Sequence, residues 1–138
     1  MNWKLVLQLS LFGLVMAFAT VFVVPADIEP VLWLAIFLIC AFIIAKRAPG
    51  KVFLHGLMLG IVNSVWITLV HFGLFSTYLA HHAQEAEMMK SMPMPLPPRV
   101  MLAIIGPCIG AISGVVIGLL ALLAALIMRR GTRAPAGS

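Results

Sequence analysis

The chain has 138 residues, of which 63% are hydrophobic and only 9% are charged. So few charged residues cannot cover the surface of a soluble domain, which excludes an ordinary water-soluble globular protein and indicates that the solvent is lipid. The net charge of +5 does not indicate nucleic-acid binding, because the basic residues form short clusters between apolar segments rather than one continuous face.

Four apolar segments approach or exceed the roughly 20 residues that a helix needs to cross the hydrocarbon core of a bilayer. Each is separated from the next by a segment that contains proline or glycine. The sequence therefore predicts an all-α membrane protein, an antiparallel bundle of four transmembrane helices within one domain, 1–130. The predicted spans are 5–24, 31–45, 52–80 and 100–128, with an extracytoplasmic His-, Met- and Pro-rich segment at 81–99 and a flexible cytoplasmic tail at 131–138.

The first span has a second interpretation. Lys4 precedes an apolar run, and Ala17 and Ala19 flank Phe18 in the way that small residues mark a signal-peptide cleavage site. The apolar run continues beyond this site to Val24. A retained membrane anchor is therefore the simpler expectation.

The third span carries most of the polar side chains within the predicted spans. Ser64, Thr68 and His71 share one helical face, with Asn63 at its edge. Such a face either bonds to neighbouring helices or lines a path for protons or small solutes in which His71 titrates. We expect interhelical bonding, with a neutral His71 bonded to a Ser, Thr, Asn or backbone carbonyl. No Asp, Glu, Lys or Arg lies within a predicted span, which argues against a proton-coupled antiporter.

The segment between the third and fourth spans is rich in imidazole and thioether groups. Thioethers favour Cu(I) and imidazole suits several transition metals, so these side chains are candidate copper ligands. Methionines beside a membrane also serve an interfacial helix that rests on lipid, and the spacing matches no closed metal motif. The candidate ligands are His81, His82, Met88, Met89, Met92 and Met94.

The fourth span carries the most regular pattern in the chain, a glycine at every fourth position. A row of small residues on one face lets another helix backbone approach closely, which is how helices associate within lipid. We expect this face to pack against the third span, which offers two glycines of its own. Self-association or docking to a larger membrane complex is the alternative use. The residues concerned are Gly106, Gly110, Gly114 and Gly118, with Gly56 and Gly60 on the third span.

No catalytic constellation stands out, since the chain lacks a nucleophile elbow, a phosphate-binding loop and an HExxH motif. The preferred hypothesis is a small polytopic protein of a bacterial inner membrane, without a cofactor. It would act non-catalytically by helix–helix docking, as an accessory subunit or as a homo-oligomer. The alternatives are a small channel or transporter that uses the polar face of the third span, and an extracytoplasmic copper-binding protein.

The distribution of basic residues predicts the orientation, because cytoplasmic loops of membrane proteins carry the excess of Lys and Arg. Four crossings place seven of the nine basic residues on one side, and all four acidic residues on the other. Both termini should therefore be cytoplasmic. The seven basic residues are Lys4, Lys46, Arg47, Lys51, Arg129, Arg130 and Arg133.

Reporter fusions test this topology. Fusions after Pro49 and at the C-terminus should report the cytoplasm, whereas a fusion at Ser91 should report the opposite side, because an even number of crossings separates the first two sites. A cytoplasmic signal from the Ser91 fusion would contradict the four-crossing arrangement.

Overall fold

The computed structural model describes residues 1–93 and 95–131, and within these ranges it contains six helices and no strand. Four of the helices are long and apolar enough to cross a membrane, which is compatible with a multi-pass membrane protein. The prediction of an all-helical chain with four long apolar helices is confirmed. The helices are α1 (Trp3–Phe22), α2 (Glu29–Arg47), α3 (Val52–Gly73), α4 (Phe75–His81), α5 (Ala83–Ser91) and α6 (Pro98–Gly131).

The ends of the long helices follow from local chemistry. The side chain of Asn2 accepts a hydrogen bond from the backbone N–H of Leu5, 3.1 Å away, and so caps the first turn of α1. Pro30 lies in the first turn of α2. Backbone N–H groups in the first turn have no partner within the helix, so a proline there costs no hydrogen bond. Gly50, at a φ of +150°, and Lys51, at +48°, make the tight turn into α3.

The third apolar segment, 52–80, differs from its prediction because it forms two helices. The helical hydrogen bonding of α3 ends at Gly73, and Leu74 has a φ of −108° and a ψ of 29° before α4 begins. The 22 residues of α3 already extend about 33 Å, which is enough to cross the hydrocarbon core. The whole segment 52–80 is apolar, so its hydropathy did not indicate that the helix would break at Leu74. Of the predicted tail, 131–138, only Gly131 is described; it ends α6.

The most extensive contact between helices joins α3 to α6. At two positions the backbones touch, because a Cβ on Gly56 would meet the backbone of Gly118 and a Cβ on Gly60 would meet that of Gly114. Close approach of this kind requires small residues on both helices. The glycine rows of α3 and α6 therefore lie against each other.

Polar contacts attach α1 to α3. The Asn2 N–H donates to Nε2 of His55 over 2.9 Å, and His55 Nδ1 lies 3.0 Å from the Lys51 carbonyl. Because Nε2 accepts, the ring proton is on Nδ1 and donates to that carbonyl. Further along, the Trp66 indole donates to the Ser10 hydroxyl over 3.2 Å. One ring nitrogen of His55 thus bonds to α1, and the other bonds to the carbonyl at the start of its own helix.

One hydrophobic cluster joins the four long helices at the end that carries the N-terminus of α1. There α2 packs through its C-terminal half, and α6 through the part beyond Gly114. Burial of these side chains contributes roughly 1.5–3 kcal/mol for each large one in water, and less where lipid replaces water as the solvent. The buried members are Leu5, Val6, Leu9, Cys40, Ala41, Ile44, Leu59, Ile117 and Ala121.

Replacing Gly60 by Ala should destabilise the protein, because the new Cβ would meet the α6 backbone, including the Gly110 carbonyl oxygen at 2.5 Å. The atoms that the new Cβ would meet belong to the α6 backbone, which cannot move aside by a side-chain rotation. We therefore expect a loss of about 1–3 kcal/mol in the free energy of unfolding. Unfolding in mixed micelles with increasing SDS measures it. Gly73→Ala is the matched control, since nothing lies within 4 Å of its Cβ position. Equal stability of the two variants would show that the helices do not touch.

Candidate functional site

A crevice of about 750 Å³ lies between α2, α3 and α6 and reaches to α4 and α5. It exists because α2 contacts α6 extensively and α3 only slightly. Residues Trp33, Leu34 and Phe37 of α2 form one side, and α3 forms the other. This volume lies within the range of pockets that hold small molecules, about 300–1,000 Å³.

The polar face predicted on α3 lines this crevice, as Asn63, Ser64, Thr68 and His71 all do. The Ser64 hydroxyl donates to the Ile61 carbonyl of its own helix over 2.7 Å. In contrast, the Asn63 Oδ1 and Thr68 Oγ1 atoms are buried and find no hydrogen-bond partner among the described residues. A buried polar atom without a partner costs about 1–3 kcal/mol. The Asn63 Oδ1 atom lies beside Gly13 of α1, and the Thr68 hydroxyl lies beside Gly106 of α6, so both atoms are buried against neighbouring helices.

His71 is bonded within the protein. Its Nε2 lies 3.0 Å from the Thr20 hydroxyl of α1, and that hydroxyl donates to the Ala17 carbonyl, also over 3.0 Å. The Thr20 oxygen is therefore the acceptor, and the His71 proton is on Nε2. His71 thus bonds to a threonine, one of the partners that the sequence analysis expected.

Three rings form a stack that leads away from His71. The His71 and Tyr78 rings have centroids 4.4 Å apart, and the Tyr78 and His82 rings 4.3 Å apart, with interplanar angles of 25° and 23°. The break after Gly73 places α4 so that Tyr78 lies over His71. Offset stacks of this kind stabilise ring orientation as well as packing.

Two carboxylates lie where the stack ends. Glu29 and Glu85 both line the crevice. The Trp33 indole donates to one Glu29 oxygen over 3.1 Å, and the other Glu29 oxygen lies 3.9 Å from Nε2 of His82. That separation is too long for a hydrogen bond. We call Glu29 and Glu85, with Tyr78 and His82, the acidic end of the crevice.

The acidic end contains two further buried atoms without a hydrogen-bond partner in the described part of the chain, His82 Nε2 and Glu85 Oε2. His82 is only 2% exposed. Its Nδ1 lies 3.0 Å from the Tyr78 carbonyl and donates to it, so in the neutral ring Nε2 carries a lone pair and no proton. At 3.9 Å from Glu29, the Nε2 atom makes no hydrogen bond to this carboxylate.

The pKa of Tyr78 is sensitive to the negative charge at the acidic end. Burial raises the pKa of Tyr78 to about 12, and the negative charges of Glu29 and then Glu85 add to the shift. Both effects disfavour the phenolate. The hydroxyl therefore remains a hydrogen-bond donor at any physiological pH.

The glycine positions lie where α3 and α6 meet. Apart from the pairs already described, the Thr68 hydroxyl occupies the place of a Cβ on Gly106, and the Ser64 side chain that of a Cβ on Gly110. The face that the sequence offered for packing or for docking is therefore covered by α3 of the same chain.

The candidate copper ligands are not gathered in one place. His81 is exposed and its Nδ1 lies 2.9 Å from the Thr77 carbonyl, whereas His82 is buried at the acidic end. The Met88 and Met92 side chains are exposed and Met89 is half-buried. Met94 lies outside the described residues. Within those residues no three His, Cys, Asp or Glu side chains are arranged to hold a metal ion, and copper binding stays a prediction.

The acidic end is the part of the site that sequence reasoning missed. Glu29 was assigned to a loop and Glu85 to an outer segment, although Glu29 begins α2 and Glu85 lies in α5. One signal was present: Trp33 follows Glu29 by four residues, the spacing at which helical side chains meet. Nothing in the sequence indicated that α5 would bring Glu85 to the same crevice.

Comparison with known proteins adds no family. No protein-family model, no curated protein and no solved structure matches this chain.

Titration of the phenol tests the electrostatics of the acidic end directly, because Tyr78 is the chain's one tyrosine. Phenolate absorbance in ultraviolet light should rise with a midpoint near pH 12, above the ordinary value of about 10. Glu29→Gln and Glu85→Gln should each lower the midpoint, while Glu87→Gln, at an exposed position, should not. A wild-type midpoint near 10, with helical circular dichroism intact, would contradict the arrangement.

Proposed function

We propose that this chain is a small multi-pass protein of a bacterial inner membrane that binds a small, mainly apolar molecule in the crevice. Its four long helices form an antiparallel bundle with both termini in the cytoplasm, so the acidic end faces the extracytoplasmic side. It acts without catalysing a reaction. The observation that carries the proposal is the crevice of about 750 Å³ itself, which is lined mainly by apolar side chains and has the carboxylates of Glu29 and Glu85 at one end.

The lining of the crevice supports a ligand with an apolar body. Apart from the α3 face and the acidic end, its walls are aromatic and aliphatic side chains such as Trp33, Phe37 and Ile109. A mainly apolar pocket with a few placed polar groups is typical of small-molecule sites. The carboxylates at the acidic end would then fix the orientation of the ligand rather than supply most of its affinity.

The shape of the crevice favours binding over conduction. Its lining runs from Glu29 and Glu85 to Gly60 and Ile117. Beyond that point the backbones of Gly56 and Gly118 come together. This contact closes the space between α3 and α6 at that level, which favours a pocket over a continuous path between these two helices.

Docking of another protein is less well supported than ligand binding. The glycine row on α6, which made docking attractive, is occupied by α3. The outward face of α6 instead exposes large aliphatic side chains, among them Ile112 and Ile127 at 67% and 62% exposure. Such a surface suits lipid tails. Self-association would have to use another surface.

A larger side chain within the lining of the crevice should weaken the binding of a small molecule there. We would measure equilibrium binding to the protein in nanodiscs with two probes in separate experiments, the cation methyltriphenylphosphonium and the neutral triphenylphosphine oxide, and subtract partition into empty nanodiscs. At least one probe should bind saturably to the wild type. Ile109→Trp, within the lining, should weaken that binding at least about tenfold, which corresponds to about 1.4 kcal/mol.

Ile112→Trp is the matched control, since this isoleucine lies on the same helix but outside the lining. It should bind as the wild type does. Saturable binding of neither probe, or equal loss in both tryptophan variants, would overturn the proposed function.

A further inference from the structure

The charges along the crevice are of one sign. Glu29 and Glu85 line it, and no lysine or arginine of the described residues does. Two basic side chains near this end of the protein are engaged elsewhere: Arg99 lies 5.4 Å from the ring centre of Phe75, and Lys90 is paired with Glu87 at 2.9 Å. The acidic end thus presents negative charge to whatever occupies the crevice.

The two carboxylates are short of hydrogen-bond donors. Glu29 accepts a hydrogen bond from the Trp33 indole at one oxygen, but its other oxygen lies 3.9 Å from His82 Nε2, which is too far for a hydrogen bond. Glu85 has a buried oxygen with no partner among the described residues. Charged donors make the strongest hydrogen bonds to carboxylates. His82 is nearly fully buried, and its Nε2 atom also has no hydrogen-bond partner among the described residues.

The surroundings select an organic cation over a metal ion. Within the described residues no third His, Cys, Asp or Glu completes a metal-binding group with the two carboxylates. Aromatic rings are present instead, since Trp33, Phe37 and Tyr78 all line the same crevice. Aromatic faces attract cations at close range, and most strongly where water is displaced.

We infer that the molecule bound in the crevice is a monovalent organic cation with an apolar body, whose positive group lies between Glu29 and Glu85 while its apolar part lies along Trp33 and Phe37. This inference rests on the proposed function and names its substrate class.

The two probes of similar size provide the test, because they differ chiefly in charge. Both probes are measured at the same pH and ionic strength. Wild-type protein in nanodiscs should bind methyltriphenylphosphonium at least about tenfold more tightly than triphenylphosphine oxide, a difference of about 1.4 kcal/mol. Each of Glu29→Gln and Glu85→Gln should reduce this preference, and the double variant should abolish it.

Glu87→Gln is the matched control, as Glu87 lies on α5 two residues from Glu85 but is exposed and paired with Lys90. It should keep the full preference. Unchanged affinity for the neutral probe would show that a glutamine variant retains the crevice. If the double variant does not fold, the test rests on the ratio of the two probe affinities in the wild type and in each single variant.

Equal affinity of the wild type for the two probes, or a preference that survives both glutamine substitutions, would overturn the inference while leaving the proposed function intact. Saturable binding of neither probe would instead overturn the proposed function, and with it the inference. The two failures are therefore distinguishable in the same experiment.

Discussion

The structure depends on the backbone contact between α3 and α6. Gly56 and Gly60 meet the α6 backbone directly, and neither helix could approach so closely with a larger residue there. The two helices consequently form one continuous wall, and the others are arranged on it, α1 mainly against α3 and α2 mainly against α6. Polar bonds from Asn2 and Ser10 hold α1 in its place.

The crevice follows from the way α2 is attached to this wall. Its C-terminal half joins the hydrophobic cluster through Cys40 and Ile44. Its N-terminal half, from Glu29 to Phe37, stands across from α3 with the crevice between them. A helix anchored at one end leaves a pocket at the other. The polar face of α3 and the N-terminal half of α2 both line this pocket.

The break after Gly73 completes the site. A straight continuation of α3 would carry the polar side chains of the third apolar segment beyond the bundle. Instead α4 begins at Phe75 and contacts α1, so that Tyr78 stacks on His71 and His82 on Tyr78. The turn places Tyr78, His82 and the negative charge of Glu85 at the acidic end of the crevice.

The sequence by itself determined the number of long apolar helices, their approximate limits and the helical face shared by Ser64, Thr68 and His71, because hydropathy and periodicity are local properties of the chain. Tertiary structure alone decided that this face lines a crevice, that His71 bonds to Thr20, and that Glu29 and Glu85 lie at one end of it. Those arrangements join residues from different helices, and they depend on how closely glycines let α3 and α6 approach and on where α3 ends. The glycine spacing indicates the close approach of α3 and α6, but no local pattern shows where α3 ends, since the apolar segment 52–80 has the same character whether it forms one helix or two.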